Sequence, residues 1–231
     1  VGTVHPIEAI GAIAKEHEVL FHCDAVQGLS TKAMDVSAMG VDLVSLSAHK
    51  MYGPKGVGAL WVRRRGPRVR LLRQMHGGGQ EDGQRAGTLN VPGIVGLGRA
   101  AELAVELREH DHARIAAMRD RLQTRLEDEL GGVLVHGCPD HRHPGNLHVC
   151  FEGVDAEALM LALQARVAMS ASSACASGAG GASHVLRAMG FDGDARHDSL
   201  RMGLGRATQE QDVDQAADDI VAAARRLRAT R

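Results

Sequence analysis

The chain has 231 residues, a formal net charge of −1 from 27 basic and 28 acidic side chains, and 2% aromatic residues. So even a balance, with no positive block beyond Arg63-Arg64-Arg65 and the arginines near the C-terminus, gives little support to a nucleic-acid-binding face, and so few rings argue against a base-stacking surface. No apolar run approaches the roughly 20 residues that span a bilayer, and cysteines at 23, 138, 150 and 175 are too few and too irregular for a disulfide scaffold, which favours a reducing, cytoplasmic setting.

Apolar periodicity predicts a helix over 6–17, strands near 19–23, 41–46 and 58–63, and a helix from about 92. Helix and strand in alternation give a parallel or mixed sheet with crossover helices. A long polar helix over about 109–130 leads into strands near 133–136 and 147–151, a helix near 155–165 and a strand ending near Ser170. After a strand over Leu200 to Leu204, the last helix is expected over about 209–228, with Thr208 as its cap and Glu210 and Asp212 in its first turn. The expected boundary lies near 108, with one α/β domain over 1–108 and a smaller α/β domain over 109–231.

The chemistry begins at Ser45-Leu46-Ser47-Ala48-His49-Lys50-Met51-Tyr52-Gly53-Pro54-Lys55-Gly56. A buried strand runs straight into a Gly-Pro-Lys-Gly turn, which leaves Lys50 at the strand's mouth. Desolvation there would free its amine for a Schiff base with a carbonyl cofactor, although a lysine snorkelling from a strand end has the same signature. Upstream, Val19 to Gly28 reads as a second buried strand, ending in Asp24 and Gln27. Ligands of open parallel sheets sit beyond the carboxyl ends of the strands, so Asp24, Gln27 and Lys50 are expected to converge. An aspartate so placed can keep a pyridine nitrogen protonated and a glutamine can bind a phenolic oxygen, as pyridoxal phosphate (PLP) requires. Asp24 could instead be a simple helix N-cap, but the pair of strands with these endings favours the cofactor reading.

The run His136-x-Cys138-x-Asp140-His141-x-His143 offers metal-ligand types. A single cluster flanked by Pro139 and Pro144 lacks the two separated knuckles of a structural zinc site, so no metal is expected and a solvated loop is.

Phe21 to Gln27, Ser47 to Gly58, Gly77-Gly78-Gly79-Gln80-Glu81 with Arg85-Ala86-Gly87-Thr88, Ser173-Ala174-Cys175 and Ser199-Leu200-Arg201 together resemble the NifS/IscS-type cysteine desulfurases of the class V aminotransferase superfamily. The motifs stand in the family's order over nearly the whole chain. The resemblance implies a fold-type I PLP-dependent transferase with a truncated large domain, built on a mostly parallel sheet, followed by a smaller C-terminal α/β domain. It implies PLP as cofactor, L-cysteine as substrate, and a sulfur-acceptor protein, either an iron–sulfur scaffold or a tRNA-thiolation protein, as partner. Lys50 becomes the Schiff-base lysine and acid/base, Asp24 and Gln27 contact the cofactor ring, and Ser47 and His49 lie near the cofactor phosphate. Thr88 reaches the cofactor of the neighbouring subunit in a homodimer. Arg201 grips the substrate carboxylate through its planar fork.

By the same resemblance Cys175, in a run of small residues and glycines from Ala168 to Gly181 whose composition predicts a mobile loop rather than a packed element, is expected to be the persulfide-forming nucleophile, against the alternative of a buried structural cysteine. Ser172 stands where the family usually has glycine. The chain opens at Val1 without an initiator methionine and resembles the family only from the tail of its Asn-Asn-Glu motif onward. The phosphate-binding turn, the ring-stacking histidine and the substrate-orienting asparagine are therefore expected to precede it. A selenocysteine lyase, a class V aminotransferase and an inactive desulfurase fragment are the alternatives, and the Ser-Ala-Cys loop counts against a plain aminotransferase.

Overall fold

In the computed structural model, residues 1–170, 183–191 and 199–230 are described. They fall into two units, Pro6–Glu109 and a second that combines Val1–His5 with His110–Arg231. The first domain was expected to start at residue 1. Instead the first five residues pair with the second unit, where Val4 N–H donates to the His141 carbonyl at 2.8 Å and Thr3 bridges Arg142.

The first unit runs α1 (Ile7–Glu16), β1 (His22–Asp24), β2 (Leu43–Ser47), a 3-10 turn over Ala48–Met51, β3 (Gly58–Val62) and α2 (Val91–Glu106). Its sheet has the order β1-β2-β3, with β1 parallel to β2 and β3 antiparallel to β2. The strand expected from residue 19 begins only at His22, and Val19 and Leu20 before it are 61% and 56% exposed. The entry to β1 is held from the side: Phe21 N–H donates to Asp42 Oδ2 at 2.9 Å, and Arg63 Nε donates to Asp42 Oδ1 at 3.1 Å. Cys23, Met39, Val41 and Val44 form the core under the sheet, with Ile7, Leu46 and Trp61 packed against it. Helix α1 lies so close to the backbone at Met39 that a Cβ on Gly11 would overlap the Met39 carbonyl oxygen. Asn90 caps α2 by accepting the Gly93 N–H at 3.2 Å, and Pro92 suits the first turn, where its missing N–H has no helical partner to lose.

The second unit contains α3 (Arg108–Leu130, from His110), β4 (Val133–Val135), β5 (Asn146–Phe151), α4 (Ala156–Leu163), α5 (His184–Ala188), β6 (Ser199–Gly203) and α6 (Glu210–Ala229). Its sheet, β4-β5-β6, is antiparallel throughout. The strand expected to end near Ser170 is reduced to one bridge with Arg201. Alternation divides this sheet: Leu147, Val149 and Phe151 of β5, with Leu200 and Met202 of β6, face a core completed by Ile115, Met118, Leu122 and Leu126 of α3 and by Ile220 of α6. The polar helix α3 therefore carries an apolar stripe at three- and four-residue spacing. Capping of α6 falls one residue beyond the expected Thr208. Gln209 and Asp212 cap reciprocally, Asp212 Oδ2 accepting the Gln209 N–H at 2.9 Å, while the Thr208 hydroxyl accepts the Gly205 N–H at 3.0 Å. Among the described residues no helix is long and apolar enough to cross a membrane.

Candidate active site

Asp24 ends β1 and Ser47 ends β2, and the two strands run in parallel with Asp24 in register with Ser45. The carboxyl ends of both strands thus open on one side, where a parallel pair presents groups to a ligand. Strand β1 has the burial pattern exposed, buried, exposed, so His22 and Asp24 lie on the open face and Cys23 in the core. Asp24 Oδ1 accepts the Val26 N–H at 3.1 Å, closing a turn rather than capping a helix, and leaves Oδ2 without a partner among the described residues. His22 Nε2 and the Ser45 hydroxyl are joined at 2.8 Å on the same face. Gln27 is exposed in the turn that follows, its side-chain amide also unpartnered among the described residues.

Lys50 sits in the 3-10 turn immediately after β2. The turn closes at Tyr52 in the left-handed region, φ 67 and ψ 17, a conformation that costs a non-glycine residue of order 1 kcal/mol and often marks a functional turn. Gly53 follows in close contact, since a Cβ there would stand 2.9 Å from Ala100 Cβ and 3.0 Å from Ala48 Cβ. Lys50 is exposed and its amine makes no hydrogen bond or ion pair among the described residues. The desolvation invoked from sequence is therefore not supplied by the described residues of this chain. Beside it, the Ser47 hydroxyl and His49 Nδ1 are hydrogen-bonded at 2.8 Å. Cys23, 8% exposed, is no rival nucleophile, because burial, with Asp24 next to it, pushes its thiol upward and keeps it protonated. Thr88 is exposed in the loop before α2, and that loop is held by Arg85, which donates to the Gly87 and Thr88 carbonyls at 2.9 and 3.0 Å.

In the second unit, Arg201 lies on β6 on the face turned away from the core, half-buried and with no ion pair or side-chain hydrogen bond among the described residues. Cys175 lies outside the described residues. The histidine run from 136 to 143 does not gather as a metal site: among the described residues no three or more His, Cys, Asp or Glu side chains are grouped to hold an ion. Nor is it wholly a solvated loop. His136 is fully buried, its Nδ1 2.9 Å from His148 Nδ1 and its ring edge-on to Phe191 at 4.5 Å between centroids. Burial lowers its basicity, and burial, with His136, Arg201 and Arg142 nearby, takes His148 down to about 3. The reading from sequence passed over His148. The available signal was strand alternation, which sets His148 opposite the apolar face of Leu147, Val149 and Phe151.

The family model described as aminotransferase class-V matches residues 1–216. A protein of Anaeromyxobacter dehalogenans (strain 2CP-C) named cysteine desulfurase IscS is 57% identical over 215 residues, covering 93% of this chain and 53% of that protein. Among solved structures, a NifS-like protein from Rickettsia africae ESF-5 superposes with a TM-score of 0.86 at 26% identity, covering 96% of this chain and 58% of its own. A structure described as SspA in complex with cysteine superposes with a TM-score of 0.67 at 36% identity, covering 89% of this chain and 56% of its own. The chain spans about half the length of the curated relatives it matches. Its unequal α/β units and its mixed sheet are those of a fold-type I PLP-enzyme fold, shared with these NifS-like neighbours. On these matches the chain belongs to the aminotransferase class-V family and is of its NifS/IscS type.

Proposed function

We propose that this protein acts as a PLP-dependent cysteine desulfurase, converting L-cysteine to L-alanine and retaining the sulfur as an enzyme persulfide. The observation that carries the reading is the set of groups without partners among the described residues at the carboxyl ends of two neighbouring parallel strands: the Lys50 amine, one Asp24 oxygen and the Gln27 amide, beside the Ser47–His49 pair. The set fits PLP group by group. A carboxylate suits the pyridinium nitrogen, an amide the phenolic oxygen, an amine the carbonyl carbon, and a hydroxyl with an imidazole the phosphate. When bound, PLP supplies an electron sink that weakens bonds at the α-carbon of an amino acid.

The chain's own residues would do the rest. Asp24 would hold the ring nitrogen, and Lys50 Nζ would hold the cofactor and then carry protons at the substrate. Arg201, with no carboxylate partner among the described residues, would grip the carboxylate of L-cysteine. Cys175 Sγ would attack the substrate sulfur: an S–S bond forms as the substrate Cβ–S bond breaks, and the electron pair left at Cβ takes up a proton to give alanine. The persulfide would then pass to an acceptor protein, either an iron–sulfur scaffold or a tRNA-thiolation protein. Thr88 would serve the cofactor phosphate of a neighbouring subunit in a homodimer, in a cytoplasmic enzyme. The 57%-identical relative and the neighbour that holds cysteine support cysteine as the substrate.

Borohydride reduction followed by peptide mass spectrometry tests the cofactor site. PLP should be trapped on Lys50 and lost in Lys50→Ala, and trapping on Lys55 instead would overturn the assignment. Addition of L-cysteine should place a persulfide on Cys175 and none in Cys175→Ser. A persulfide on Cys23, Cys138 or Cys150 alone would remove Cys175 from the mechanism.

A further inference from the structure

The outward face of the second sheet carries a transverse row of side chains that the proposed mechanism does not use in full. Backbone register sets His136 beside His148, His148 opposite Arg201, and Arg201 beside Ser170. Arg201 exchanges both of its backbone hydrogen bonds with Ser170, at 2.7 and 3.1 Å, and His136 N–H donates to the His148 carbonyl at 2.9 Å. A strand residue directs its N–H and C=O to the same side, so His148 and Arg201 form a non-hydrogen-bonded antiparallel pair. Such pairs stand closer than their hydrogen-bonded neighbours, about 4.5 Å between Cα atoms, with side chains side by side.

The chemistry of the row is that of an anion site. Arg201 has no carboxylate partner among the described residues, and the other charged side chain acting on His148, Arg142, is cationic as well. The Nδ1···Nδ1 bond between His136 and His148 admits one donor and one acceptor. His136 Nε2 is enclosed and unpartnered. An enclosed N–H without an acceptor is rarer in proteins than an enclosed acceptor without a donor, which favours the proton of His136 on Nδ1. His148 then accepts at Nδ1 and carries its own proton on Nε2, an atom with no partner among the described residues. Its lowered basicity agrees with a neutral ring.

We infer that His148 is a second carboxylate-recognition residue, its Nε2–H donating to the same α-carboxylate that the Arg201 guanidinium binds, with His136 as the positioning residue that holds this tautomer. The inference rests on the reading of Arg201 as the substrate clamp. A neutral donor beside a guanidinium gives the carboxylate a third hydrogen bond at a fixed angle, which favours α-amino acids over amines lacking the carboxylate.

Steady-state kinetics of the PLP-loaded protein with L-cysteine test it. His148→Phe keeps an aromatic ring and removes the donor, and should raise KM about tenfold or more, as loss of a hydrogen bond to a charged group does, with kcat within about twofold of wild type. His148→Gln, which restores an N–H, should recover most of the loss. Arg201→Lys should raise KM further. An unchanged KM in His148→Phe alongside a raised KM in Arg201→Lys overturns the role of His148 and leaves the clamp standing. An unchanged KM in both overturns the clamp, and this inference with it. Independently of activity and of any variant's folding, ¹⁵N NMR of the wild-type protein should find the His148 proton on Nε2, with that signal moving when L-alanine is added. A proton on Nδ1, or a signal indifferent to L-alanine, overturns the inference.

Discussion

Acid should loosen the second unit through a histidine that the fold keeps neutral. Burial, together with His136, Arg201 and Arg142, lowers native His148 to about 3, from the ordinary imidazole value of about 6.5. Between those values the unfolded chain binds a proton that the native chain does not, so stability rises with pH and falls on acidification. The contribution is intact above the unfolded value and is lost progressively as pH drops below it. Moving from pH 7.5 to pH 5 should cost about 2 kcal/mol from this group alone, because each pH unit below the unfolded value costs about 1.4 kcal/mol and pH 5 still lies well above the native value. His136 and His143 are displaced in the same direction, chiefly by burial, and His143 Nδ1 accepts the Gly145 N–H at 3.1 Å, a bond that protonation would break. The measured loss should therefore exceed the single-site figure. Urea unfolding followed by far-UV circular dichroism is the suitable assay, since Trp61, the chain's single tryptophan, belongs to the other unit and does not report on this one. In His148→Asn, which cannot titrate, the difference between pH 7.5 and pH 5 should shrink by about 2 kcal/mol. An acid sensitivity identical in wild type and variant would refute the reasoning.

Asp42→Ala should destabilise the first unit by about 3 kcal/mol, because it strands the Phe21 N–H and leaves Arg63 without its carboxylate in a partly buried setting; a change below about 0.5 kcal/mol in chemical denaturation would show that the pair contributes nothing. Gly11→Ala should cost at least about 2 kcal/mol despite alanine's better helix propensity, since its methyl would overlap the Met39 carbonyl oxygen, and a variant as stable as wild type would mean that α1 shifts freely. Leu159→Ala, at a fully buried position of α4, should cost about 2 to 5 kcal/mol by thermal or chemical unfolding of the second unit, and a loss under 1 kcal/mol would mean that the core collapses onto the vacancy.

Sequence alone determined the elements whose cause is local. The alternation at Leu43–Ser47 and at Asn146–Phe151, the buried stripe of Ile115, Met118, Leu122 and Leu126, and the turn that stops β2 just before Lys50 all follow from periods of two or 3.6 residues and from turn chemistry within a few positions. The same local logic placed Asp24 at the end of β1 and Lys50 in the turn that follows β2, and those two strands pair in parallel. Tertiary structure decided what depends on distant partners. Strand β1 starts at His22 rather than Val19 because Asp42, 21 residues away, takes the Phe21 N–H. The cap of α6 moves to Gln209 because the Thr208 hydroxyl is engaged by Gly205, on the turn that leaves β6. Nothing within ten residues of His136 marks it as more than one of several histidines in a loop. It is buried and paired because β5 returns antiparallel alongside β4 and sets His148 beside it, and β6 then lays Arg201 against that pair. Register between strands separated by tens of residues is fixed by the burial of their opposite, apolar face, and that burial exists only once the sheet, α3 and α6 have packed together.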